Sequence, residues 1–126
     1  MIYGIGVDLV KVARIAAAIQ RHGERFLNRV FTPREIAYCQ RRRGSDSALA
    51  LRFAAKEAFS KALGVGLRRD GIRWREVEVV ANSLGKPELL VSGRAAELCA
   101  AAGITGLHLS LTDEVSQALA VVILER

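Results

Sequence analysis

Cysteine is scarce in this chain of 126 residues: Cys39 and Cys99 lie far apart, and neither has a cysteine nearby in the sequence. This spacing fits neither a structural zinc site nor the disulfide framework of a small secreted protein. We therefore expect two reduced cysteines. Aromatic residues are also few, with one Trp, two Tyr and four Phe, so Ala, Val, Leu and Ile must supply most of the core.

Long hydrophobic runs are missing as well. No run approaches the about 20 apolar residues that cross a bilayer, and Asp8 interrupts the apolar start before a signal-peptide core could form. We expect a soluble, cytoplasmic protein that does not bind a membrane. Because no linker rich in proline or serine divides the chain, residues 1–126 are expected to form a single domain.

Acidic residues are outnumbered, with 13 Asp and Glu against 19 Lys and Arg, which gives a formal net charge of +6. An excess of positive charge favours anionic partners, and three classes remain open. They are nucleic acid, a phosphorylated small molecule and an acidic protein. Charge alone does not choose among them.

Hydrophobic periodicity and turn residues predict the secondary structure. Thr32 to Glu35 supply an N-cap, a proline at the first helical position and the glutamate of a capping box. The predicted strands cover 2–10, 76–80, 88–91, 107–111 and 118–124, with the last two joined by a turn at 112–114. The predicted helices cover 11–23, 33–42, a segment capped by Ser45 or Asp46 and ending at Gly64, and 93–102. This order predicts an α+β fold in which a small, mainly antiparallel sheet packs with helices.

Basic side chains form a stripe on the first predicted helix. At about 100° per residue, Lys11, Arg14 and Arg21 share one sector, and Arg25 joins them if the helical turn continues past Gly23. Such a stripe is commonly only a solvated surface, but an all-positive one also suits an anionic partner.

Two carboxylates occur where apolar residues are expected: Asp8 in the first strand, and Glu57 in the helix that reads RFAAKEAFSKALG over 52–64. Glu57 lies four residues before Lys61, and the pair can simply be a surface ion pair on the helix. The alternative is a Mg²⁺ site, because Mg²⁺ takes one or two carboxylates, several waters and phosphate oxygens. In that case Lys61 would neutralise a phosphate. The spacing does not show whether the two carboxylates meet.

Glycines occur in the first predicted strand and directly after the helix that carries Glu57. Gly4 and Gly6 in the first strand indicate that another group approaches its backbone closely. Gly64 and Gly66 follow the helix and would let backbone N–H groups approach an anion.

Several segments together resemble one known family. They are GIGVDLVKVARI, FTPREIAYC, RFAAKEAFSKALGVG, the turn of Gly85, Lys86 and Pro87, and the closing HLSLTDEVSQALAVVILE. In order, and over the whole chain, they are similar to the small bacterial 4′-phosphopantetheinyl transferases known as holo-[acyl-carrier-protein] synthases.

The resemblance implies a reaction in which the 4′-phosphopantetheine arm of coenzyme A moves to a serine of apo acyl carrier protein, in support of fatty acid biosynthesis. It implies that Asp8 and Glu57 hold Mg²⁺ and that Lys61 lies near the phosphates, so these three residues are the predicted catalytic groups. Arg52 becomes a candidate for the 3′-phosphate of coenzyme A, and the turn over 85–87 matches the family turn near the adenine.

The resemblance also implies partners. The family is typically a homotrimer with active sites between neighbouring subunits, and its members dock the acidic helix of the carrier protein on their first helix. Arg14, Arg21 and Arg25 are therefore the predicted carrier-binding residues.

One position departs from the pattern of many members. Where they carry a histidine after the late strand motif, this chain has Asp113, so a role for a histidine there is not expected. His108 precedes it, and its side chain is expected to face either the ligand or the core. His22 is expected on the surface.

The main alternative function is a small basic nucleic-acid-binding module. It accounts for the charge but not for Asp8 and Glu57. Such modules place aromatic side chains among their basic groups for base stacking. Here only Phe53 and Phe59 lie near the basic helix, at positions better suited to core packing.

Overall fold

The computed structural model describes residues 1–67 and 70–126 of the chain. Its elements, in chain order, are β1 (Ile2–Lys11), α1 (Val12–His22), α2 (Glu24–Val30), α3 (Pro33–Gln40), α4 (Ser45–Leu63), a 3₁₀ turn (Trp74–Glu76), β2 (Val77–Ala81), β3 (Pro87–Val91), α5 (Gly93–Ala101), β4 (Gly106–Glu114) and β5 (Gln117–Glu125). All the strand pairs are antiparallel. The predicted α+β fold is confirmed.

The strands form two sheets among the described residues. One has the order β1-β5-β4, and the other is the β2-β3 hairpin. The hairpin predicted around 82–87 is confirmed: the Asn82 Oδ1 atom accepts hydrogen bonds from the N–H groups of Leu84 at 2.9 Å and Lys86 at 3.0 Å. Gly85 adopts a φ of 83°, which only glycine reaches without strain.

Three details of the secondary-structure prediction were wrong. The helix predicted over 11–23 does end at Gly23, but the separate short helix α2 that follows it was not predicted. The N-cap of α4 is Gly44, whose φ of 70° makes the turn without a side-chain cap, so neither Ser45 nor Asp46 serves as the cap. Residues 112–114 continue β4 and pair with β5, because polar side chains fit the exposed end of an antiparallel strand as well as a turn.

Helix α4 lies directly on β1. A Cβ atom at Gly4 would lie 1.9 Å from the carbonyl oxygen of Ala62, and one at Gly6 would lie 1.8 Å from that of Ala58. No side chain fits such a gap, so both positions require glycine. The predicted close approach to this strand is therefore confirmed, and the group that approaches is the backbone of α4.

A buried ion pair connects α4 to the rest of the chain. The side chains of Lys56 and Glu35 are both fully buried, and their Nζ and Oε1 atoms lie 2.9 Å apart. Lys56 also donates to the carbonyl oxygens of Trp74 at 3.1 Å and Val77 at 2.5 Å. The ammonium group thus has three acceptors, one for each of its protons. Burial lowers the pKa of Lys56, and the Glu35 carboxylate opposes that shift.

Glu35 is equally well satisfied. Its Oε1 atom accepts the N–H of Thr32 at 2.9 Å in the predicted capping box, and its Oε2 atom accepts the N–H of Val79 at 2.9 Å. One carboxylate therefore serves α3, α4 and β2 together.

Both cysteines are free, as predicted, and both are buried. Burial raises the pKa of Cys39 to about 11 and also raises that of Cys99, so neither thiol forms a thiolate readily. Within the described part of the chain, no helix combines the length and apolar character required to span a bilayer.

Replacing Lys56 with Met should destabilise the fold strongly, because it leaves the Glu35 carboxylate buried without its cation. We expect the free energy of unfolding to fall by about 3–5 kcal/mol in urea denaturation. Adding Glu35→Gln to this variant removes the unpaired charge and should recover part of the loss. A Lys56→Met protein as stable as the wild type would contradict this role of the ion pair.

Candidate active site

Asp8 and Lys61 meet where α4 lies on β1. The Lys61 Nζ atom is 3.1 Å from Asp8 Oδ1, and it also donates to the carbonyl oxygen of Val7 at 3.1 Å. The Asp8 side chain is 15% exposed and that of Lys61 is 55% exposed, so the pair lies at the edge of the packed layer. The Lys61 ion pair is therefore with Asp8 in the neighbouring strand, and the alternative of a helix-surface pair with Glu57 is wrong.

Glu57 shares this site. Its pKa is raised, mainly because the side chain is half-buried and next because the Asp8 carboxylate is near. The positive charges of Lys61 and Arg14 oppose that rise. The structure thus brings together the predicted carboxylates of Asp8 and Glu57, which lie 49 positions apart in a chain of 126 residues.

The donor set at this place fits Mg²⁺. Among residues 1–67 and 70–126, no group of three or more His, Cys, Asp or Glu side chains gathers to form an all-protein metal site. Mg²⁺ does not need one, since it is commonly held by one or two carboxylates and completed by water and phosphate oxygens. Two carboxylates that repel each other would be stabilised by a cation, so Asp8 and Glu57 are suitable ligands.

Arg52 lies on the side of α4 that faces α3. It is 6% exposed, its Nη1 atom donates to the carbonyl oxygen of Ala48 at 3.1 Å, and its guanidinium lies 4.6 Å from the centre of the Tyr38 ring. Its Nε atom is buried and has no hydrogen-bond partner among the described residues. The structure does not join Arg52 to the Asp8–Glu57 pair, so its predicted contact with a phosphate stays a prediction.

The predicted anion contact at Gly64 and Gly66 is not formed by free N–H groups. Gly64, with a φ of 86°, ends α4 and donates its N–H to the carbonyl oxygen of Ser60 at 2.9 Å. The N–H of Gly66 donates to Asp70 Oδ2 at 3.2 Å. Both donors are used within the chain: the glycine after the helix closes the last turn of α4, and the second N–H bonds to a carboxylate further along the chain.

The turn of Gly85, Lys86 and Pro87 lies in the β2-β3 hairpin, which is a separate sheet from the one that carries Asp8. Lys86 is exposed there. The predicted position of this turn near the adenine of coenzyme A stays a prediction.

The predicted basic stripe lies beside the site. Arg14, Arg21 and Arg25 are all exposed, the first two on α1 and the third on α2. Arg14 is near enough to lower the pKa of Glu57, and its guanidinium lies 5.5 Å from the centre of the Phe53 ring. The stripe thus begins at the carboxylate pair.

His108 lies on the opposite face of the sheet from Asp8. Its side chain is exposed, and its Nε2 atom is 3.0 Å from Glu125 Oε1, a contact that lowers the pKa of Glu125. His108 does not face the core, because α4 covers the other face of the sheet, and a position facing the ligand stays a prediction. His22 is exposed at the end of α1, as predicted.

The aromatic side chains near the basic stripe are used for packing. Phe53 is 6% exposed and stacks on Trp74 with ring centroids 4.9 Å apart, while Phe59 is fully buried. Neither phenylalanine is open to a nucleic acid base, which argues against the nucleic-acid-binding module.

Comparison with known proteins gives consistent results. The model of the 4′-phosphopantetheinyl transferase superfamily matches residues 4–121. The chain is 48% identical to a holo-[acyl-carrier-protein] synthase of Geotalea daltonii over 126 residues, which is all of both chains. It is 51% identical to the protein of the same name from Geobacter sp. strain M21, again over the full length of both.

Solved structures agree with these sequence matches. The crystal structure of holo-[acyl-carrier-protein] synthase from Neisseria meningitidis superimposes with a TM-score of 0.89 at 38% identity, over 100% of both chains. The crystal structure of the Helicobacter pylori holo-[acyl-carrier-protein] synthase in complex with coenzyme A superimposes with a TM-score of 0.85 at 31% identity, over 96% of this chain and 99% of the other.

Replacing Glu57 with Gln should weaken divalent-cation binding, because it removes one of two anionic ligands. We expect the dissociation constant for Mn²⁺, measured by calorimetric titration, to rise by at least about tenfold, since even outer-shell changes have effects of this size. The metal-free variant should be no less stable than the wild type in thermal unfolding, because the repulsion with Asp8 is gone. Glu97→Gln, the same change at an exposed position of α5, is the control. Equal Mn²⁺ affinity in the wild type and both variants would contradict the assignment.

Proposed function

Because the chain belongs to the 4′-phosphopantetheinyl transferase superfamily, among the holo-[acyl-carrier-protein] synthases, we propose that it transfers the 4′-phosphopantetheine group of coenzyme A to a serine of apo acyl carrier protein. The products are the holo carrier protein and adenosine 3′,5′-bisphosphate. The observation that carries the proposal is the meeting of Asp8, Glu57 and Lys61 at the contact of β1 with α4.

The reaction replaces one phosphorus–oxygen bond with another. The serine Oγ atom forms a bond to the phosphorus that carries the pantetheine arm, and the bond from that phosphorus to the bisphosphate oxygen breaks. The serine proton passes to a carboxylate or to a water molecule, and both remain open. Bound Mg²⁺ would neutralise negative charge on the reacting phosphorus and on the departing bisphosphate.

The residues of the chain have separate parts in this scheme. Asp8 and Glu57 hold the cation. Lys61, whose ammonium is half exposed next to Asp8, is free to turn toward a phosphate oxygen and neutralise it as a point charge. These three residues are the proposed catalytic groups.

Coenzyme A needs contacts beyond the pyrophosphate. Arg52 is proposed to bind the 3′-phosphate, because the guanidinium group binds phosphate through several N–H donors. Gly85, Lys86 and Pro87 are proposed to lie near the adenine, where exposed Lys86 adds positive charge. Gly64 contributes by ending α4 after Lys61.

A homotrimer is proposed because, on the face of the three-stranded sheet away from α4, the side chains of β1 and β5 are apolar and at least partly exposed. Ile5, Val7 and Leu9 on β1 are 58%, 48% and 56% exposed, and they pair with Ile123, Val121 and Leu119 on the same face of β5. Contiguous exposed apolar surface of this kind marks an interface.

Light scattering on the purified protein should give three times the mass of the chain, and a monomer would contradict the proposal.

The setting of the reaction follows from its substrates. Residues 1–126 are proposed to act as one domain in the cytoplasm, supplying holo carrier protein for fatty acid biosynthesis. The family match over 4–121 supports the single domain.

The proposed reaction is tested by mixing the protein with coenzyme A, Mg²⁺ and apo acyl carrier protein, and weighing the carrier by intact mass spectrometry. The expected result is a gain equal to one phosphopantetheine group, which disappears when a chelator is added. No gain with several carriers, in the presence of a folded protein, would contradict the proposed function.

The carrier is proposed to dock on Arg14, Arg21 and Arg25. Replacing Arg14 with Glu should raise the KM for the carrier by about tenfold at low salt, because complementary charge speeds association, with a much smaller change in the KM for coenzyme A. Steady-state kinetics with each substrate varied in turn provide the measurement. Equal changes in both KM values would instead indicate a damaged site.

A further inference from the structure

A cavity outside the proposed active site lies between α2 and the Trp74–Glu76 turn. Its volume is about 540 Å³, and its lining includes Arg29, Arg73, Trp74, Arg75 and Glu76. All three arginines are exposed. They form no pattern in the sequence, because they are spread over two segments more than 40 positions apart in the chain of 126 residues.

The positive charge of this cavity is not balanced from within. The ion pairs found in residues 1–67 and 70–126 involve none of the three arginines. Glu76 is the one acidic residue among the lining residues just named, and its Oε1 atom already accepts the N–H groups of Arg73 at 3.1 Å and Ala95 at 3.4 Å. A Cβ atom at Gly93 would lie 2.3 Å from Glu76 Oε2, so the carboxylate is packed against the start of α5.

The cavity lies near the basic stripe. The Trp74 ring stacks on Phe53, and the Arg14 guanidinium lies over the same Phe53 ring. On the other side, Arg29 also lines a neighbouring hollow together with Arg25. Exposed arginines therefore occur on α1, on α2 and at the Trp74–Glu76 turn, while α2 also carries the exposed acidic residue Glu24.

We propose that this cavity is a second docking surface for the acyl carrier protein, in which Arg73 and Arg75 bind carboxylates on an acidic segment of the carrier. The inference rests on the proposed function, because it takes the carrier as the protein substrate. The surface acts in partner recognition and lies outside the chemistry at Asp8 and Glu57. Its expected contribution is to the rate of encounter, which makes it sensitive to salt.

The test uses the double variant Arg73→Glu/Arg75→Glu in the full-length protein. The KM for apo acyl carrier protein should rise by about tenfold or more at low salt, with the kcat and the KM for coenzyme A within about twofold of the wild type. The difference in carrier KM between the double variant and the wild type should shrink at about 0.5 M salt, where exposed charges are screened.

The control is Arg41→Glu, which reverses the charge of another exposed arginine. Among the described residues, the Nε atom of Arg41 bonds only to the carbonyl oxygen of Ala37. The carrier KM of this control should stay near the wild-type value.

The outcomes are distinguishable. If the wild type transfers no phosphopantetheine, the proposed function fails. If it does and the double variant matches Arg41→Glu in its carrier KM, the inference is overturned while the function stands. A change in the oligomeric mass, measured by light scattering, would assign the cavity to contacts between copies of the chain and overturn it. Unchanged carrier kinetics with weakened binding of a duplex oligonucleotide would also overturn it.

Discussion

The direct contact of α4 with β1 is the constraint on which the rest of the structure depends. It exists because Gly4 and Gly6 carry no side chain, so the carbonyl groups of Ala58 and Ala62 reach the strand itself. At this separation a lysine on the helix spans to a carboxylate on the strand, and the two predicted carboxylates share one electrostatic site. A larger residue at either glycine would part the layers and separate the functional groups.

Two adjacent charged residues of α4, Lys56 and Glu57, lie in different environments. Lys56 points into the molecule and is satisfied by Glu35 and two carbonyl oxygens, whereas Glu57 lies about 100° further around the helix, at the edge of the packed layer near Asp8. The buried ion pair holds α4 against α3 and β2, and the strand glycines hold it against β1. The half-buried Glu57 is thereby kept beside another carboxylate, an arrangement that is unfavourable without a cation and suited to binding one.

Much of the fold was predictable because its signals are local. The alternation in β1 and β5, the capping box at Thr32 and the glycine that ends α4 are each read from a few neighbouring residues. Helix α2 was missed because seven residues after a glycine give too short a pattern. The partners of Lys61 and Lys56 were not predictable, since each is a contact between elements distant in sequence, and spacing along one helix gives only its own neighbours. The resemblance named Asp8 and Glu57, but the close packing of α4 on β1 shows why they meet.

The central claim is that this packing makes one cation site from Asp8 and Glu57. It is tested most directly by growing crystals with Mn²⁺ and coenzyme A and calculating an anomalous difference map at the manganese absorption edge. The account predicts a peak bound by the carboxylates of both residues and by a phosphate oxygen of coenzyme A. A manganese peak bound by neither carboxylate, with coenzyme A clearly present, would contradict it.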